Sequence, residues 1–157
     1  MNILGSLMSL DLLRLQVSSG MVVAARHWRR ICHTALTGYG ISEACAAPLL
    51  MIVRLGDGVH QVAVAQAAGL ESPSLVRLLD QLCKAGLVCR SEDPLDRRAK
   101  ALSLTAEGRA LAEAIEAELV RLRRDVLNGI DQADLEATLR VLRAFEAAGL
   151  GSTGGVA

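Results

Sequence analysis

Residues 87–105, LVCRSEDPLDRRAKALSLT, constrain the fold most, because their apolar spacing is alternating while that of the flanking chain is helical. Leu87 and Val88 lead into a charged turn around Pro94, and Ala99, Ala101, Leu102 and Leu104 then interleave with Lys100 and Ser103. This pattern predicts a β-hairpin with Arg97 and Arg98 near its tip. Phosphates and the narrow, electronegative minor groove attract guanidinium groups presented in this way. A solvated hairpin held by ordinary surface ion pairs is the plainer alternative.

The flanking sequence reads as helix. Leu10, Leu13, Val17, Met21, Ala24, Trp28, Ile31 and Ala35 recur in steps of three and four, which predicts one long amphipathic helix over residues 9–37. Gly38 and Gly40 end it. Ser42 and Glu43 then open a helix that carries Pro48 and stops at Gly56 and Gly58. Residues 60–69 form a short helix closed by Gly69, and the next is expected to start with Ser72 as N-cap and Pro73 in the first helical position. Two short helices around a glycine turn make a helix-turn-helix. Thr105 caps a long helix ending at Asn128 and Gly129, Asp131 caps a last one carrying Leu135, Leu139, Leu142 and Phe145, and residues 149–157 are a flexible tail.

The chain has 157 residues, no net charge, 52% AVILMFWYC and 2% aromatics, so one aliphatic, mostly helical domain with a small addition fits. With no overall positive charge, any nucleic-acid site must be local. Cys32, Cys45, Cys83 and Cys89 contain no CxxC pair and no histidine at finger spacing, so neither zinc nor a disulfide framework is expected. No apolar run reaches the roughly 18 residues of a membrane span, and the start lacks a signal peptide's basic flank, which places the chain in the cytoplasm. No cofactor is expected. Phosphate loops, nucleophile elbows and HExxH helices are absent, which argues against an enzyme.

On the second helix of the helix-turn-helix, Leu75, Val76, Leu78, Leu79 and Leu82 make an apolar face, and Ser74, Arg77 and Gln81 form a polar stripe. Arginine reads guanine O6 and N7, glutamine pairs with adenine, and hydroxyls reach phosphates. Asp96 is expected to brace one neighbouring arginine through a bidentate pair while the other points outward. Arg90 and Lys100, on the hairpin legs, are expected to touch phosphates or pair with Glu92 and Asp93.

The segment ESPSLVRLLDQLCKAGLVCRSEDPLDRRAKALSLTAEGRAL resembles the core of MarR/SlyA-type bacterial winged helix-turn-helix regulators. It carries SLVRxLDxL, GLVxR, DRRAK and LTxEG at that family's spacing, and HWRR and NGID extend the likeness over nearly the whole chain. The resemblance implies an all-α fold with a small β-wing. Residues 1–38 would form an N-terminal dimerisation helix, 42–104 the winged helix-turn-helix and 105–148 the C-terminal dimerisation helices. It also implies a homodimer on a pseudo-palindromic duplex, with Arg77 and Arg98 as main DNA-reading arginines and Ser72, Pro73 and Ser74 near phosphates. Cys83 departs from the family, where Glu is common, and reads as a small apolar filler.

Relatives bind aromatic carboxylates in a crevice beside the dimerisation helices, for which Trp28, Arg29 and His33, with Arg14 as a weaker candidate, are the expected effector-binding residues. The expected mechanism is repression by promoter occupancy, relieved by the effector. A redox-responsive regulator is an alternative, since Arg29, Arg30 and His33 surround Cys32, although peroxide-sensing relatives carry their cysteine near the start of the first helix. A winged-helix protein-interaction module is the other; a basic wing fits an interface core poorly.

Overall fold

The computed structural model describes residues 3–92 and 100–152. Among these, the order is α1 (Ile3–Leu36), α2 (Glu43–Leu55), β1 (Val59–His60), α3 (Gln61–Ala68), α4 (Ser72–Lys84), β2 (Val88–Glu92), β3 (Lys100–Leu104), α5 (Ala106–Val126) and α6 (Gln132–Ser152), with a 3-10 turn at Thr37–Tyr39 after α1. The fold is mostly helical with a small sheet, as the sequence implied. No single helix among the described residues is long and apolar enough to cross a membrane. The chain divides into two compact units, Met1–Leu119 and Val120–Ala157, with the division inside α5.

The first unit is built on Leu36, Leu49, Ile52, Leu75, Leu79, Leu82, Leu102 and Ile115, all fully buried. Each such side chain contributes on the order of 1.5–3 kcal/mol, so aliphatic packing replaces the missing aromatics. Local chemistry sets the helix ends. Ser42 caps α2 by accepting from the Cys45 amide at 3.2 Å, and α2 runs on through buried Pro48. Gly69, at φ +63°, closes α3 in the left-handed conformation that a side chain would resist. The α4 cap lies one residue earlier than the sequence suggested: Glu71 is the N-cap, and Ser72 is already helical. Proline is tolerated in either frame, because no amide of the first turn has an intrahelical acceptor.

The sheet is antiparallel in the order β1-β3-β2. Val88 pairs with Leu104, Arg90 with Leu102 and Glu92 with Lys100, so the two legs read as strands in the sequence do pair. β3 lies in the middle and also packs against α2 and α3, and Ala101 and Leu102, on its opposite faces, are both buried. β1 was not anticipated. Two residues carry no alternation, and His60, read as the start of a helix, pairs with Ala101 and serves as the α3 N-cap. Asp57 fixes this edge by accepting from the Leu104 amide at 3.1 Å and from Arg109 Nη2 at 2.6 Å.

Thr105 joins the sheet to α5. Its Oγ1 accepts from the Gly108 amide at 2.9 Å and donates to the Gly86 carbonyl at 2.7 Å, while its own amide donates to the Leu87 carbonyl at 3.1 Å. In the second unit, Asp131 caps α6 through the Asp134 amide at 2.8 Å, as expected. Leu139, Leu142 and Phe145 stay exposed on that helix.

Candidate nucleic-acid interface

The α4 helix has two chemically distinct sides. Leu75, Leu78, Leu79 and Leu82 are buried, whereas Ser74, Arg77 and Gln81 are exposed along the polar stripe. Val76, placed on the apolar face by its sequence, is in fact exposed. Successive residues are about 100° apart on a helix, which turns Val76 away from the leucine face. At the start of α4, Ser72, Pro73 and Ser74 are all exposed and no side chain caps the helix, so first-turn amides remain open to phosphate oxygens. Among the described residues, no carboxylate forms a salt bridge with Arg77, which leaves its five donors for an external acceptor.

Arg90 turns inward. Its Nη1 donates to Asp80 and its Nη2 donates to the Val76 carbonyl at 3.2 Å, so β2 is fastened to the third turn of α4. Its position on a hairpin leg predicts phosphates or the nearer Glu92 and Asp93 as partners instead. The β2 register decides otherwise, because Arg90 shares the α4-facing side of the strand. Lys100 does pair with Glu92, at 3.5 Å across the hairpin. Both groups are exposed, and such a pair is worth at most about 1 kcal/mol. Asp96, Arg97 and Arg98 lie outside the described residues; the two strands that lead to them are fastened to α4 and β1.

Gln81, exposed on the polar stripe, also makes an intramolecular contact that the sequence did not show. Its Oε1 accepts from the Cys45 thiol at 3.2 Å, linking the first turn of α2 to α4. A 36-residue separation hides such a contact from any local pattern.

Together, an exposed helix carrying Arg77 and a hairpin base locked to it by the Arg90 clamp form the two halves of a winged helix-turn-helix. Residues 36–126 match the ArnR1-like winged-helix domain, more than half of the 157-residue chain. The solved transcriptional regulator PA3341 is 36% identical, with a TM-score of 0.76 over 84% of this chain and 96% of its own. A MarR-family transcriptional regulator from Rhodococcus sp. is 29% identical, with a TM-score of 0.67 over 87% of this chain and 93% of its own. The chain belongs to the MarR-type winged-helix regulators. CouR from Rhodococcus jostii, solved with p-coumaroyl-CoA, is 30% identical, with a TM-score of 0.68 over 83% of this chain and 87% of its own.

In this MarR-type regulator the four candidate effector residues do not converge within one chain. Arg29 and His33 are exposed one turn apart on α1, half-buried Trp28 projects about 100° away, and Arg14 pairs with Asp11 at 2.7 Å. An open groove of about 520 Å³ on the same helix is lined instead by Gln16, Ser19, Gly20, Val23, Ala24 and His27. None of the four candidates lines it. His27, which the sequence reading passed over, approaches Arg30 Nη2 at 3.2 Å.

The cysteines form no disulfide. Cys32 and Cys45 are each only 5% exposed, Cys83 is half-buried and Cys89 is exposed. Burial pushes the Cys83 thiol above its ordinary value, and the nearby Arg90 only partly offsets this. Thiolate is the reactive form, so iodoacetamide at pH 7.5 is expected to label Cys89 first and Cys83 markedly later, with Cys32 and Cys45 labelled only on unfolding. Peptide mass mapping over time measures the order. Early labelling of Cys32 would contradict this order.

Proposed function

We propose that this regulator acts as a homodimer that reads a pseudo-palindromic duplex through paired α4 helices and wings, with half-sites about 10 bp apart. The observation that carries the reading is Arg77, exposed on α4 and paired with no carboxylate among the described residues, while Arg90 holds the wing base against the same helix. Arg77 and Gln81 face bases, Ser72, Pro73 and Ser74 face phosphates, and Arg98 enters the minor groove with Arg97 and Asp96 assisting. Arg90 supports the wing from behind. Exposed apolar residues on α1, including Leu10, Leu13 and Val17, and separately Leu139, Leu142 and Phe145 on α6, support coverage by a second copy.

Function then follows from occupancy: the dimer represses by covering a promoter, in the cytoplasm and without catalysis. An effector that binds more tightly to a dimer with the wrong helix spacing releases the DNA. The aromatic acyl group bound by CouR supports a small aromatic acid or its thioester as that effector. Buried Cys32 offers no comparable support for a redox trigger.

The test is duplex binding by the full chain, with operator sequences selected from a random library and affinities measured by anisotropy across a salt series. Dimeric mass by sedimentation and a steep fall of affinity with salt are expected. Salt-insensitive binding would contradict the reading. Quenching of the single Trp28 by benzoate-, salicylate- or hydroxynicotinate-like acids, with matching release of DNA, tests the effector; a flat titration removes it.

A further inference from the structure

We propose that the Cys45 thiol is a positioning residue for base specificity: it holds Gln81 so that the side chain reads acceptors only, selecting guanine over adenine at its base pair. The inference rests on the DNA-reading role of α4 and deepens it. Its starting point is the 3.2 Å contact from Cys45 Sγ to Gln81 Oε1.

An unrestrained glutamine is ambivalent. Its amide offers an acceptor and two donors, and against adenine it uses both kinds, with Oε1 taking the N6 hydrogen and Nε2 giving to N7. That arrangement needs Oε1 to face the base. Here Oε1 faces the other way, toward the first turn of α2, where a thiol donates to it. With Oε1 engaged by the thiol, Nε2 is the part of the amide left for an outside partner, and it offers only N–H donors. Guanine presents N7 and O6, both acceptors, whereas adenine presents an N6 amino group that opposes a donor.

The donor is held firmly. Cys45 is buried, and its own amide is fixed by the Ser42 cap at 3.2 Å, so the thiol cannot follow Gln81 outward. Gln81 itself remains exposed, on the same stripe as Ser74 and Arg77. The oxygen of its amide is therefore engaged with protein, while the residue stays exposed to an outside partner.

The test uses the full-length dimer and two duplexes that differ only in G·C or A·T at the base pair assigned to Gln81 by library selection. Wild type is expected to favour G·C by about 10-fold, and Gln81→Ala to lose that preference. Cys45→Ala should reduce it to about 2-fold or less, while Cys45→Ser, which keeps a donor, stays within about 2-fold of wild type. Circular dichroism melts confirm that each variant folds, and the side-chain amide resonances of Gln81 should shift in Cys45→Ala but not in Cys45→Ser. An unchanged preference in folded Cys45→Ala overturns the inference alone. So does a uniform weakening of both duplexes in Gln81→Ala, which would place the amide on a phosphate. Failure of wild type to bind any selected duplex overturns the DNA reading, and this inference falls with it.

Discussion

Replacing Gly108 by alanine is expected to destabilise the protein by about 3 kcal/mol, the sum of overpacking and loss of a helix cap. A Cβ at this position would lie 1.9 Å from the Leu87 carbonyl oxygen, far inside contact distance, and 2.8 Å from its carbon. The obstacle is backbone, so no rotamer change relieves it. Either α5 or the α4–β2 turn must move by more than an ångström, and the bonds that Thr105 makes to Gly86, Leu87 and Gly108 stretch or break together. Those bonds also set the base of the wing, so DNA affinity should fall with stability. Urea denaturation measures the loss, and a drop in melting temperature of roughly 10 °C should accompany it. Gly149→Ala in α6 is the control: nothing lies within 4 Å, and helix propensity should make it neutral or slightly stabilising. A Gly108→Ala protein as stable as its parent would refute the close approach.

Arg77→Ala is expected to weaken operator binding by about 10- to 100-fold with little change in stability, since a base-reading arginine is worth about 1–3 kcal/mol. Its guanidinium is exposed and pairs with no carboxylate among the described residues, so removing it costs the free protein almost nothing. Arg90→Ala should behave differently. That change removes the clamp on Asp80 and the Val76 carbonyl, lowers stability, and weakens all duplexes through a loosened wing. Anisotropy on operator and random duplexes separates the two. Arg77→Ala should reduce the ratio between them, while Arg90→Ala should lower both affinities; equal losses on both duplexes for Arg77→Ala would assign it to the phosphate backbone instead.

Several elements were readable in the sequence because their causes are local. The caps at Ser42 and Asp131 each accept from an amide three residues on, and Thr105 does the same for α5, so a short motif contains the whole interaction. The hairpin followed from a charged turn between alternating legs, and α4 from a leucine face opposite Ser74, Arg77 and Gln81. The family spacing of those residues carried the fold class with them. Their polar character also motivates the proposed interface, since hydroxyl, amide and guanidinium groups at helical intervals are chemistry that bases and phosphates accept.

Tertiary structure decided what depends on distant partners. β1 exists only because Val59 and His60 meet β3, more than 40 residues away in sequence. Arg90 was assigned outward on its charge, but the β2 register brings Asp80 and a helix carbonyl within its reach, and a guanidinium satisfies nearby acceptors before solvent. Gln81 was assigned wholly to DNA, although packing of α2 on α4 places a thiol on its oxygen. Gly108 carried no signal beyond LTxEG until the approach of Leu87 showed why a side chain is excluded. The effector set shows the same dependence: Arg29 and His33 share one exposed face of α1, whereas Trp28 projects about 100° away, so what those side chains meet depends on packing that a local pattern does not carry. Sequence determined the helices, the hairpin and most of the faces they bury, because those patterns are local; packing determined β1, and which polar groups are spent inside the protein and which remain exposed.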